Sequence, residues 1–221
     1  MIRLRLVRHG EPGWIVDGRA VDDPDLTARG KEEVEALCGE LAAERFDALF
    51  VSPLRRALQT AGPLSRRLGL EARVRPWLAE QAPPVFEGRP GAEVEAAFEE
   101  VRRRPPADWW DGMPGGEPFR DFRRRVVTGL EGLLSGLGAA PFDEEGYRLW
   151  RIPEGDLSLL LVCHGGTSGV VISHLLGLDA APWEHDRFPL RTGGSAVLQT
   201  RQLASGEIWS LMQLEGAERL F

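Results

Sequence analysis

The sequence predicts an α/β fold of three layers, α/β/α: a mostly parallel central sheet covered by helices, an antiparallel edge hairpin near the C-terminus, and a helical cap over the site. Three observations predict it. Strand-like apolar segments alternate with amphipathic helical ones from the N-terminus onward. Leu157-Ser158-Leu159-Leu160-Leu161-Val162-Cys163 is a continuous apolar run of the kind found in central parallel strands buried on both faces. Near the C-terminus, strand patterns at Ala196–Arg201 and Ile208–Leu214 flank Ala204-Ser205-Gly206-Glu207, a hairpin signature.

The elements follow in order. Residues 2–7 alternate as a buried strand, and Leu26-Thr27-Ala28-Arg29-Gly30 opens a helix to about Glu44 with Thr27 as its N-cap. Phe46–Val51 reads as a second strand, Ser52-Pro53 as its turn, and Leu54–Leu68 as a helix with proline near its first turn. A short third strand lies around Ala72–Arg75. Glu80–Gly91 is too rich in proline and glycine for regular structure, and helical patterns at Ala92–Arg104 and Pro118–Leu137 are expected to cap the site. Residues 138–156 show no clear period and read as an exposed excursion. Thr167–Leu176 is the helix after the apolar strand.

With 221 residues and 43% apolar content, the expected organisation is one domain over residues 1–221 with a cap segment of about 80–137 inserted in it. A net charge of -7 carries no footprint for nucleic acid or an anionic membrane, so an anionic ligand must be held by a few placed arginines. Only Cys38 and Cys163 are present, which suits a reducing compartment, and no long apolar run marks a signal or a span; the expected location is cytoplasmic.

In a parallel sheet, ligands sit beyond the carboxyl ends of the strands. Arg8-His9-Gly10-Glu11 follows the first strand, Ser52-Pro53-Leu54-Arg55-Arg56 the second, Glu80 lies beyond the third, and His164-Gly165-Gly166 ends the apolar run. Two histidines, at least two arginines and a carboxylic acid at one edge suit phosphoryl transfer, which is mainly positioning and charge stabilisation. A neutral imidazole is a competent nucleophile near neutral pH. Gly10 and Gly165-Gly166 leave room for backbone to approach a phosphate, and the helix that follows can aim N–H groups at it.

Arg8-His9-Gly10 after Leu6-Val7, together with Ser52-Pro53-Leu54-Arg55-Arg56-Ala57-Leu58-Gln59-Thr60 and Val162-Cys163-His164-Gly165-Gly166, resembles the histidine phosphatase superfamily, phosphoglycerate-mutase-like, on its phosphatase branch. Asp25-Leu26-Thr27 with Gly30, and Glu80 with Glu87-Gly88, extend the resemblance over nearly the whole chain. It implies that His9 attacks phosphorus, that Arg8, Arg56, His164 and Gly165 hold the phosphoryl oxygens, and that His164 and Glu80 complete the catalytic set, Glu80 as proton donor. Arg56, the arginine directly before Ala57, matches the pattern, and Arg55 reads as a solvated helix charge. Glu11 and Glu87 compete with Glu80 for the donor role. No metal and no cofactor is expected, because arginines beside a metal-binding histidine would repel the cation.

The chain departs from the family pattern at Pro12 and Gly13-Trp14, where a hydroxyl residue and an asparagine are usual, and at Pro118 after Gly115-Gly116-Glu117, which leaves Glu117 without an assigned role. Gln81-Ala82-Pro83-Pro84 stands where the mutases carry a basic and aromatic segment, which favours hydrolysis. The alternatives are a cofactor-dependent mutase whose grip comes from Arg89, Arg102 or Arg103, and a non-catalytic phosphate-binding module. The expected partner is a small phosphorylated substrate, with sugar phosphates, nucleotides, a cobamide-precursor phosphate and phosphoproteins all open; a homodimer is compatible with the sequence. His174 and His185 receive no role.

Overall fold

In a computed structural model, which describes residues 1–203 and 205–215, the N-terminal strand pattern forms β1 (Ile2–Arg8). A small hairpin of β2 (Ile15–Val16) and β3 (Arg19–Ala20) precedes α1 (Ala28–Leu41), whose N-cap Thr27 accepts a 2.9 Å bond from Gly30 N–H. Next come β4 (Ala48–Val51), α2 (Arg55–Leu68), β5 (Ala72–Val74) and a 3-10 turn at Pro76–Leu78. After α3 (Gly91–Arg102) and a second 3-10 turn at Pro106–Asp111, α4 (Phe119–Gly136) leads to β6 (Ala140–Glu144), β7 (Tyr147–Arg151) and β8 (Leu157–Cys163). The chain continues through α5 (Gly165–Leu175), α6 (Glu184–Arg187), β9 (Ser195–Leu203) and β10 (Gly206–Leu214). Of the predicted C-terminal turn, Ala204 lies outside the described residues.

Eight strands form one sheet in the order β5-β4-β8-β1-β9-β10-β7-β6. Its first four strands are mutually parallel, and from β9 onward the pairing is antiparallel. The continuous apolar run of β8 follows from its central place: Leu159 and Leu161 face one core, Leu160 and Val162 the other. Leu37 and Leu41 of α1 with Ala57, Ala61 and Leu64 of α2 fill the second core, while Val126 and Leu130 of α4 with Val170 and Val171 of α5 fill the first. Alternating strand side chains thus dictate the three layers. Among the described residues, no helix is long and apolar enough to cross a membrane.

Two expectations need correction. The 138–156 stretch is no excursion: β6 and β7 make an antiparallel hairpin that extends the sheet past β10, so the outer edge belongs to it and the C-terminal hairpin lies inside. Its turn, Glu145-Gly146, has positive φ at both residues (52° and 86°), the conformation that matches strand twist in a tight hairpin, and Trp150 anchors it edge-on against Trp209. Pro141 sits in the outermost strand, where a missing donor costs least. The segment expected as a cap over about 80–137 also divides. Phe119, Phe122, Val126, Leu130 and Leu134 place α4 in the core layer, because their spacing of three and four residues makes one apolar stripe; α3 buries none of its residues and is the excursion proper.

The strand register sets up the site. Arg8 pairs with Cys163 across β1 and β8, and Val51 with Val162 across β4 and β8. The residues that leave these three neighbouring parallel strands are therefore side by side: His9 N–H still reaches Cys163 O at 3.1 Å, and Ser52 N–H reaches Val162 O at 3.0 Å.

Candidate active site

His9 is buried, with the Nδ1 atom 2.8 Å from the carbonyl of Gly10 and the Nε2 atom 3.2 Å from Arg56 Nε. A carbonyl can only accept and a guanidinium N–H can only donate. The bonding pattern therefore assigns the proton to Nδ1 and leaves the lone pair on Nε2. Burial first, and then the charges of Arg56 and Arg8, push the His9 pKa down to about 3 against a partial counter-effect from the Gly10 bond, so the ring is neutral at ordinary pH. The turn that holds it is tight: a Cβ on Gly10 would lie 2.4 Å from Gly30 O, and one on Gly30 would lie 2.2 Å from Glu11 O. Both glycines are therefore required where the His9 loop crosses the start of α1.

His164, wholly buried, caps α5 at the end of β8 and stands edge-on to His9 with ring centroids 5.0 Å apart. Its Nε2 lies 2.7 Å from Ser52 Oγ, which already accepts from Leu54 N–H at 3.3 Å. Ser52 is wholly buried and this ring nitrogen is the acceptor within reach of its hydroxyl among the described residues, so the hydroxyl hydrogen goes to the ring and the imidazole proton to Nδ1, which has no partner among the described residues. Burial, His9 and the nearby arginines all hold this ring neutral too.

Of the two adjacent arginines, Arg55 is exposed on Asp25, while Arg56 is buried, with Asp23 at 3.5 Å and the Trp14 ring 4.7 Å from its guanidinium carbon. Arg8 donates through Nη1 to Leu190 O at 2.6 Å, and its buried Nε has no partner among the described residues. Burial lowers both guanidinium pKa values and the Glu80 carboxylate opposes it, yet an arginine stays charged under these conditions. Gly165 lies against Arg8, a Cβ there falling 3.7 Å from the guanidinium. Glu80 is half-buried and accepts from Gly166 N–H at 2.8 Å and Gln81 N–H at 3.0 Å, an approach that a Cβ on Gly166, 2.4 Å from Oε1, would block. The competing carboxylates are committed elsewhere, Glu11 to Thr27 and Glu87 to Asp22 N–H.

All of Arg8, His9, Arg56, Glu80, His164 and Gly165 thus come to the carboxyl edge of the parallel strands. Sequence reasoning passed over Ser52, although its motif was in view, and Asp23 and Trp14, whose contacts with Arg56 have no local signal. It also missed Arg125 on α4. His174 is buried on Glu131 and His185 is exposed, both away from this cluster. The aromatic residues between Glu80 and α4 pack in pairs, Phe86 on Phe98 of α3, Trp110 on Phe119 of α4, and Trp109 on Trp183 before α6.

Two buried neutral histidines imply a pH dependence of stability. The His9 pKa is depressed from 6.5 to about 3 in the folded chain, so between those values the unfolded chain binds a proton that the folded one does not. Stability is complete above about pH 6.5 and is lost as pH falls toward 3, by up to about 1.4 kcal/mol per pH unit for each such histidine. Urea midpoints measured across that window without phosphate should fall with acid, and His9→Asn should flatten the slope; an unchanged slope contradicts the neutral buried ring.

Fold and geometry define a class: an α/β protein that sets paired neutral imidazoles among buried guanidinium groups at the carboxyl edge of its sheet. The chain belongs to the histidine phosphatase superfamily (branch 1), whose family model matches residues 4–202. Phosphoserine phosphatase 1 of Hydrogenobacter thermophilus is 33% identical over 139 residues, 59% of this chain and 64% of that protein, so the match spans less than two thirds of it. The protein named Probable phosphoglycerate mutase GpmB of Salmonella choleraesuis is 28% identical over 212 residues, 93% of this chain and 90% of its own. Among solved structures, the mycobacterial glucosyl-3-phosphoglycerate phosphatase complexed with VO3 shares the fold at a TM-score of 0.72 and 24% identity, over 97% of this chain and 99% of that one. The alpha-ribazole phosphatase from Shigella flexneri does so at 0.71 and 24%, over 97% and 96%.

Proposed function

We propose that the chain is a phosphomonoester hydrolase that works without a metal ion, in two steps, through a phosphohistidine on His9. One observation carries the reading: the Nε2 lone pair of a neutral, tautomer-fixed imidazole is set among guanidinium groups, beside His164 Nδ1 and Arg8 Nε that lack partners among the described residues. Three donors and a nucleophile around one point suit a tetrahedral phosphoryl group.

In the first step His9 Nε2 bonds to phosphorus while the bond to the leaving oxygen breaks, and Glu80 passes its proton to that oxygen. In the second, water attacks the phosphohistidine, Glu80 takes the water proton, and the N–P bond breaks to return neutral His9 and inorganic phosphate. Arg8, Arg56 and His164 hold the three transferred oxygens throughout, where charge develops. Fixed guanidinium charge supplies the electrostatic stabilisation within the site, and it would repel a cation placed between the rings. The phosphatase relatives are consistent with a small phosphorylated substrate.

A second reading, the mutase, is favoured by the GpmB relative, which matches nearly the full chain. Release of phosphate from an aryl phosphate in the presence of chelator tests the first: steady turnover is expected, and dependence on added divalent metal would overturn it. Conversion of 3-phosphoglycerate that needs a bisphosphate primer and outpaces phosphate release would establish the second.

A further inference from the structure

We propose that Arg125, paired with Glu117, is a positioning residue that holds the segment bearing Glu80 against the first turn of α5 and so aims its carboxyl group at the leaving-group oxygen. The inference rests on the reading of Glu80 as proton donor.

Glu80 stands on a stretch with little regular structure, between the 3-10 turn at Pro76–Leu78 and α3. Such a stretch cannot place a carboxyl group by its own backbone ladder. Arg125 projects from α4, whose stripe is embedded in the core, and spends its fork on this stretch. Its Nη1 lies 3.4, 3.2 and 3.1 Å from the carbonyls of Pro76, Trp77 and Ala79, and its Nη2 lies 3.4 Å from that of Glu80. A bidentate pair with Glu117, at 3.0 and 2.8 Å, fixes the plane of the guanidinium.

Glu117 in turn clips the far side of Glu80. Its Oε2 accepts from Ala82 N–H at 3.2 Å, its carbonyl accepts from Gln81 Nε2 at 2.9 Å, and its own N–H donates to Ala82 O at 2.7 Å. The Thr167 hydroxyl ties the same stretch to α5 through Ala79 O at 3.2 Å. Glu80 is therefore gripped on both sides by groups anchored in two core helices. Lysine at 125 would keep the charge and lose the fork, since a point ammonium cannot serve Glu117 and several carbonyls in one plane.

A donor matters most when the leaving oxygen is a poor leaving group and least when it departs readily as an anion. The experiment compares kcat/KM, which reports events through the first phosphoryl transfer, for an alkyl phosphate and for 4-nitrophenyl phosphate. It covers the wild-type chain, Glu80→Gln, Arg125→Lys, Glu117→Gln and the double variant Glu80→Gln with Arg125→Lys. Inhibition by orthovanadate reports the phosphate pocket, and thermal melting reports the fold; Glu117→Gln supplies the test if the lysine variant melts early. Glu80→Gln should lose ~10²- to 10⁴-fold on the alkyl ester and far less on the nitrophenyl ester. Arg125→Lys and Glu117→Gln should show the same selectivity at roughly 10-fold or more, with vanadate inhibition unchanged, and the double variant should be no worse than Glu80→Gln.

Equal losses on both esters, or weakened vanadate inhibition, would overturn the positioning role. Selective loss in Glu80→Gln alone also overturns it while leaving the donor intact. If Glu80→Gln shows no selectivity although the wild-type chain turns over, the donor reading fails first and the inference goes with it.

Discussion

His9→Ala loses phosphatase turnover by on the order of 10⁴-fold or more, because it removes the atom that bonds to phosphorus and leaves only the pocket's charge to assist water. The fold should survive the change. His9 is a neutral ring in a loop whose path is set by the backbone packing of Gly10 against Gly30 and by the Thr27 cap; the imidazole's bond to the Gly10 carbonyl is the contact of that turn which the change removes. Phosphate binding should persist and even tighten, since Arg56 Nε is released from the histidine lone pair to meet an oxygen. The check is a pair of measurements on one preparation, kcat with an aryl phosphate and the dissociation constant for inorganic phosphate. Turnover retained within tenfold of wild type would remove His9 from the chemistry. Loss of phosphate binding together with turnover would make the residue a binding group.

Arg56→Ala has the second largest effect, an expected loss of roughly 10³-fold in kcat/KM. Two contributions act together. The transferred oxygens lose a buried guanidinium, and the His9 ring loses both a hydrogen-bond donor and one of the charges that keep it unprotonated. Removing a cation raises the pKa of its neighbour, so the acid limb of the kcat/KM profile should move to higher pH in Arg56→Ala relative to the parent chain. Arg56→Lys keeps a charge and loses the Nε–H aimed at His9, so its rate should fall between the two and its acid limb should move less. A profile whose acid limb stays in place in Arg56→Ala would show that the arginine acts on substrate alone.

The parallel half of the fold was legible because its physics is local and repetitive. β8 announced itself by a run that only a doubly buried strand can use, and α1 by a cap and stripe that the structure reproduces at Thr27, Gly30, Val34 and Leu37. The carboxyl-edge rule then collected His9, Arg56 and His164 from three separate motifs, and the register of β4, β8 and β1 sets the ends of those strands side by side. What escaped was non-local. The β6–β7 hairpin has a short Glu-Gly turn and one proline, and it is held by its pairing with β10 and by Trp150 against Trp209, contacts made across the sheet. α4 was assigned to a cap because its neighbours in sequence are irregular, whereas its apolar stripe belongs to the core. Arg125 was invisible for the same reason: its partners, Pro76 to Glu80, are distant in sequence, and nothing in Arg123-Arg124-Arg125 says which guanidinium turns inward.

The central claim is that phosphorus is bonded to His9 during turnover. Rapid quenching into alkali, where phosphohistidine survives, followed by mass mapping of the digested chain, tests it directly. The expected result is one phosphoryl group on the peptide carrying His9, present at steady state and lost on chase with unlabelled buffer. A phosphoryl group carried by any other side chain during turnover would contradict it.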